Sequence, residues 1–366
     1  MRIPVFCVLI LSAHAPQENP LTQSQLALES AFRISTLAEG QTLPAVLSPA
    51  APGADLLELM AEPGIPAQLE ELTLKHGGLL FRGFPAMNST DAFGRFTRSF
   101  SHPMLDYTEQ SSPRDRLGDK VYSSTTYPPE EYIPFHNANS FGHEFPMNIW
   151  FSCIRNGTEG GRTPIADTRA VLANLSDATR RRFKEVGILY VRNYYRGMGV
   201  PWQETFATES VDVANQFMAD GKIAHKWHDS GNLVLETRQL RHAVLRHPKT
   251  GEDVWFNQAH LFHKRSMGPR LQPLLKQFSD WELPRNAFFG DGTVIPDAVV
   301  DEVMDAYARA EISFDWQEGD VLMLDNLLTA HARTPFKGDQ RLISVAFSEM
   351  HQDYSAEFER YGVATL

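Results

Sequence analysis

From about Met147 onward the chain is written in short β-branched and aromatic runs. They fall at residues 149–153, 188–195, 233–236, 254–257, 321–324 and 343–347, many of them separated by Gly, Asn or Asp turns. Apolar runs of this length, bounded by turn residues, read as strands. Two helical patterns interrupt them. One spans residues 176–186, with Ser176 as N-cap. The other spans 296–311, with Pro296 near its first turn and Val299, Val300, Val303, Met304 and Tyr307 on one side. Strict strand–helix alternation is missing, so a parallel α/β sheet is disfavoured. The pattern predicts a mainly β chain with flanking helices, a sandwich or barrel.

The first part of the chain is different. Residues 22–38 read as a helix with Leu28, Ala31 and Phe32 on one face. Residues 43–53, rich in Pro and Ala, read as a linker. A helix over residues 65–76 stops at Gly77-Gly78 and a short strand, Leu79-Leu80-Phe81, follows. Residues 90–100 read as another helix. Residues 1–15 carry Arg2, a short apolar stretch and an Ala-His-Ala end that resemble a signal peptide. Pro4 and Pro16 argue against that reading, and an ordinary N-terminal segment is the blander one.

Composition narrows the partners. The net charge is −11, which disfavours nucleic acid and anionic membranes, since both demand clustered Lys and Arg. Cys7 and Cys153 are the only cysteines; they exclude a disulfide framework and fit a reducing, cytoplasmic compartment. No apolar run approaches the length that spans a bilayer.

Of 13 histidines, two stand out by context. His136 lies in YPPEEYIPFHNANSFGHEFP. His331 follows Gly319-Asp320, an apolar strand and Asp325-Asn326, and Arg341 comes ten residues later. Imidazole nitrogens from two strands, with coordination positions left open, suit non-haem iron(II). A buried Arg nearby can grip a carboxylate in bidentate fashion. His143, His225, His228, His242, His247, His260 and His263 lack such context and read as structural or substrate-side.

Several stretches together resemble the TauD/TfdA (taurine dioxygenase) superfamily, in particular its clavaminate-synthase-like amino-acid hydroxylases. They are KHGGLLFRGF (75–84), VYSSTTYPPEEYIPFHNANSF (121–141), GGRTPIADTR (160–169), VRNYYRGMGVPWQETF (191–206), WFNQAHLFH (255–263) and the His331 segment. The resemblance implies a double-stranded β-helix (jelly-roll) core that uses Fe(II), 2-oxoglutarate and O2. On that basis residues 65–366 are the catalytic domain with helical insertions, and residues 1–64 a helical and linker segment packed on it. It implies His136 and His331 as metal ligands, Arg341 paired with the far carboxylate of 2-oxoglutarate, and Thr163 donating to the same cosubstrate. Asp167 and Arg169 read as backbone supports, and Arg192 and Asn257 as candidates for the substrate side.

One position departs from the family pattern. His-x-Asp or His-x-Glu is expected, and the chain reads His136-Asn137-Ala138. A methyl group cannot bind iron, so the resemblance leaves one coordination position open at Ala138. Three readings follow. Chloride or bromide fills the position, as in iron/2-oxoglutarate halogenases, which carry Ala or Gly there. Water or another side chain (Asn139, His143 or Glu144) fills it, and the protein hydroxylates or desaturates. Or the chain is a metal-weak, non-enzymatic relative. The expected substrate is an amino acid or similar natural-product precursor, free or held on a carrier protein, for which Arg180-Arg181-Arg182 is a candidate docking run.

Overall fold

The computed structural model describes residues 23–106, 114–125, 127–268 and 272–353. The signal-peptide reading of residues 1–15 lies outside them. An eight-stranded major sheet runs in the order Phe32–Thr36, Ala45–Pro49, Gly78–Phe81, Val321–Asp325, Glu144–Gly160, Phe336–Gln352, Val121–Ser123, Arg116–Gly118. All neighbours pair antiparallel except Ala45–Pro49 with Gly78–Phe81. A four-stranded minor sheet runs Glu311–Ile312, Ile165–Asp167, Thr329–Arg333, Ile133–His136.

Strand alternation explains how these sheets stack. On one face of the major sheet, Val46, Leu80, Ile149, Phe151, Leu322, Leu324, Val345 and Phe347 share a buried cluster with Ile165 of the minor sheet. On the other, Ala45, Leu47, Leu79, Phe81, Trp150, Val321, Met323 and Ala346 pack against helices Leu56–Met60, Ile65–His76 and Thr90–Arg98. A sheet covered on both faces needs apolar residues at consecutive positions, which is why its strands read as unbroken runs. The minor sheet alternates too. Ala166, Ala330 and Ala332 face a second core with helices Asp177–Val186 and Asp297–Ala310, while His331 turns to the inner face, its ring 5.0 Å from Phe151. This is the jelly roll that the resemblance implied. A further sheet, Ala224–Trp227, Leu233–Arg241, Ile188–Tyr195 and Arg285–Phe289, closes one side of the cavity described below.

Local signals hold where chemistry is local. Helix Ile65–His76 ends at Gly77, whose φ of 81° places it in the left-handed region a helix stop requires. Ser176 caps helix Asp177–Val186, accepting from the Thr179 amide. Two expectations are corrected. The segment 43–53 is no linker: residues Ala45–Pro49 form a strand inside the major sheet, because Val46 and Leu47 are buried on opposite faces. The helix expected over 22–38 stops at Ala31, and Phe32–Thr36 forms the edge strand that pairs with Ala45–Pro49.

Leu47 is fully buried. Replacing it with Ala is expected to cost ~3 kcal/mol, read as a lower denaturant midpoint at constant slope. A change within ~0.5 kcal/mol would return the segment to linker status.

Candidate active site

Strands Ile133–His136 and Thr329–Arg333 pair so that His136 and His331 stand directly opposite, with ring centroids 4.3 Å apart. The Nδ1 of His136 lies 2.9 Å from the Pro134 carbonyl. A carbonyl only accepts, so Nδ1 carries the hydrogen and Nε2 keeps its lone pair in the neutral ring. His331 presents a buried Nδ1 with no hydrogen-bond partner among the described residues. Burial pushes His136 down to about 4, with the Arg114 charge adding to it. Burial, then the neighbouring His136, holds His331 well below the ordinary imidazole range. Both rings are therefore neutral donors at pH 7, the form a divalent metal requires. Two neutral imidazoles and an unsatisfied buried nitrogen fit iron(II).

The segment after His136 is clamped. Asn326 Oδ1 accepts from the Ala138 amide at 2.7 Å, and its Nδ2 donates to the Ala138 carbonyl at 3.0 Å. Asn137 Nδ2 donates to the Asn326 carbonyl, and Gln258 Nε2 to the Asn137 carbonyl. Ala138 is half-buried beside the inter-sheet core. No side chain nearby, among the described residues, replaces the missing carboxylate. Among the described residues, no group of three or more His, Cys, Asp or Glu could hold a metal. Glu144 accepts from Gln352, and His143 is buried next to Gly221 and Phe217.

Arg341 comes from strand Phe336–Gln352. Its Nε and Nη2 donate to the Gly161 carbonyl at 3.2 and 3.0 Å, and its guanidinium stacks 5.0 Å from the Phe336 ring. Gly161 is required: at φ +70°, a Cβ there would sit 2.7 Å from Arg341 Nε. No ion pair neutralises Arg341 among the described residues. Burial, then the Arg333 charge, brings it down to about 10. A half-buried, partly desolvated cation without a carboxylate is a site for an anionic ligand. Thr163 is buried, and its Oγ1 accepts from the Trp316 indole at 3.1 Å, which leaves its own hydrogen to donate.

A cavity of about 560 Å³ gathers His136, His331, Thr163 and Arg341 on its wall. Arg192 joins them. Asn257 does not: it is fully buried, bonded to Ala243 and Ala259. Asp167 caps helix Thr168–Asn174 and binds Arg169, as expected of backbone supports. Arg114, Gln258 and Arg285 also line the cavity, and nothing in their local sequence marks them. The sequence profile of the taurine catabolism dioxygenase TauD, TfdA family matches residues 41–347.

The chain belongs to this family. Its members are iron(II)- and 2-oxoglutarate-dependent oxygenases, and the paired imidazoles fit the two-histidine part of the iron set that chemistry uses. The dapdiamide synthesis protein DdaC of Enterobacter agglomerans is 38% identical over 279 residues, covering 76% of this chain and 84% of that one. A clavaminate synthase-like protein of Arabidopsis thaliana is 28% identical over 290 residues, covering 75% and 83%. The structure of PvcB from Pseudomonas aeruginosa superposes with a TM-score of 0.51 at 16% identity, covering 93% and 94%. A second PvcB structure is described as an Fe, alpha-ketoglutarate dependent oxygenase from an isonitrile synthetic pathway. No helix among the described residues of this TauD-family chain is long and apolar enough to cross a membrane.

The buried histidines make the metal-free protein acid-sensitive. His136 and His260 are both brought down, chiefly by burial, from 6.5 to about 4. A depressed folded value means the stability is present above pH 6.5 and lost as pH falls, because the unfolded chain takes up protons first. Each shift corresponds to ~3 kcal/mol lost between pH 6.5 and 4. Thermal melts of metal-free protein at steps between pH 8 and 4 are expected to fall below pH 6.5. A flat profile would contradict the neutral, buried state of both rings.

Proposed function

We propose that this protein is an iron(II)- and 2-oxoglutarate-dependent halogenase that chlorinates an aliphatic carbon of a small natural-product precursor. One observation carries the reading. Ala138 stands where the carboxylate ligand belongs, in a site that keeps both histidines and Arg341 and offers no substitute carboxylate among the described residues. A metal-weak relative has no physical reason to keep a half-buried, unpaired arginine after losing its ligand set.

His136 and His331 would hold the iron through neutral nitrogens. Arg341 would take the far carboxylate of 2-oxoglutarate, and Thr163, its hydroxyl oriented by Trp316, would donate to the same molecule. The bound iron, 2-oxoglutarate and O2 supply an oxidant for unactivated C–H bonds, with succinate and CO2 as by-products. Ala138, clamped through both backbone groups by Asn326, would present only a methyl group where the family pattern has a carboxylate, which would leave room for a halide on the bound metal. The lowered imidazole values keep both rings unprotonated at neutral pH, so protons would not compete for the ligand nitrogens.

A second reading, hydroxylation or another oxidation with water in that position, is favoured by the oxygenase described among the PvcB structures. The 38% identity to a dapdiamide synthesis protein favours a natural-product precursor under either reading. The substrate is a small molecule, free or on a carrier protein. The run Arg180-Arg181-Arg182 offers little to such a carrier, since Arg180 pairs with Asp177 and Arg182 with Asp291.

The test needs no substrate. Iron(II) and 2-oxoglutarate are titrated into the protein under argon, with and without chloride, and the visible charge-transfer band is followed. A band that chloride shifts or strengthens supports the halogenase. A band indifferent to chloride favours oxygenation. No band removes both.

A further inference from the structure

The cavity wall carries a charge imbalance that the metal chemistry does not use. Among the described residues it holds Arg114, Arg192, Arg285, Arg333 and Arg341, and no Asp, Glu or Lys. The chain as a whole leans the other way, with 45 acidic residues against 34 Lys and Arg. Three of the five arginines are accounted for. Arg341 donates to the Gly161 carbonyl and would take 2-oxoglutarate. Arg333 donates to the carbonyls of Tyr127, Pro128 and Glu131, holding that loop. Arg114 donates to the Ser123 and Ser124 carbonyls.

Arg192 and Arg285 remain. They stand directly opposite one another on antiparallel strands Ile188–Tyr195 and Arg285–Phe289. Like charges in that register repel. No acidic partner offsets them among the described residues. Their contacts are aromatic instead: Arg192 lies 4.7 Å from the Phe141 ring and 5.0 Å from Phe262, and Arg285 lies 5.9 Å from Phe262. Stacking on ring faces fixes both guanidinium planes and leaves their N–H edges for a ligand. Arg341 stands on the major sheet and this pair on a different sheet, so the pair is separate from the cosubstrate grip.

We propose that Arg192 and Arg285 form a second oxyanion subsite, which takes the anionic end of the substrate. This rests on the reading above and narrows it. The substrate carries a carboxylate or a phosphoryl group and presents no cationic group to this wall, since the described lining offers no acid to receive one. An acid, or an amino acid whose amine is acylated, fits; a lysine-like head does not. Tyr194, Leu261 and Met267 give the body of such a molecule apolar surface beside the pair.

The test uses the full chain loaded with iron(II) and saturating 2-oxoglutarate under argon, so that Arg341 is occupied and the charge-transfer band reports it. Melting temperature is followed at constant ionic strength with N-acetyl-L-leucine, its uncharged methyl ester, L-lysine methyl ester or inorganic phosphate. The free acid or phosphate is expected to raise the melting temperature, and the two esters are not. Protection by the acid alone assigns a carboxylate, and protection by phosphate alone a phosphoryl group. In Arg192→Gln and Arg285→Gln the half-saturating anion concentration rises at least about tenfold while the band persists, and Arg192→Lys falls between. No anion protection in the wild type, or protection unchanged in both Gln variants, overturns the subsite. Loss of the band in the wild type instead would sink the iron/2-oxoglutarate reading itself.

Discussion

If the proposed halogenase reading holds, replacing Ala138 with aspartate is expected to turn the product from chlorinated to hydroxylated. The carboxylate completes the two-histidine, one-carboxylate set that iron(II) oxygenases use and occupies the position a halide would take. The backbone of residue 138 is held at both its N–H and its C=O by the Asn326 amide, so the new side chain is presented from a fixed point. The ratio of chlorinated to hydroxylated product is expected to fall by at least about a hundredfold, which corresponds to ~2.7 kcal/mol between two competing steps. Mass spectrometry of products formed in saturating chloride measures it. In the same variant, iron affinity rises and the charge-transfer band loses any response to chloride. Undiminished chlorine incorporation by Ala138→Asp would rule out the halide position.

Arg341→Leu weakens 2-oxoglutarate binding by about a hundredfold or more, the usual cost of truncating one side of a buried charge pair. The same change leaves the melting temperature of the cosubstrate-free protein unaltered or higher. Without its anion, Arg341 is a half-buried cation whose donors reach, among the described residues, the Gly161 carbonyl, and desolvation has already brought it down to about 10. Removing an uncompensated charge relieves a desolvation cost. Titration of the charge-transfer band and a thermal melt read the two effects separately. A variant that loses stability in step with affinity would make Arg341 a structural residue.

The sequence was readable where a signal sits within a few residues. The stop at Gly77, the cap at Ser176 and the apolar runs of the inner strands are all of that kind. His136 and His331 were legible because each lies among turn and strand residues that constrain it. The segment 43–53 was not, since its prolines carry loop chemistry locally while burial of Val46 and Leu47 is decided by strands far along the chain. The 17-residue strands Glu144–Gly160 and Phe336–Gln352 were legible only in their apolar centres. Their polar ends are held by pairing, with register shifts between Lys337 and Gln340. Asn326 and Gln258 were invisible for a related reason: an amide that clamps another segment's backbone leaves no local pattern. Arg285 becomes meaningful only once Arg192 stands across from it.

The pairing of His136 with His331 joins two strands about two hundred residues apart in sequence, a contact whose loop-closure entropy is met late in folding. Whatever both rings hold at once therefore works as a clasp on the whole chain. If iron is what they hold, its supply would govern how long each copy of the protein survives as well as how fast it turns over. A thousandfold excess over the dissociation constant would add ~4 kcal/mol against unfolding. Copies left without iron would accordingly be inactive and, by the same margin, more open to proteolysis.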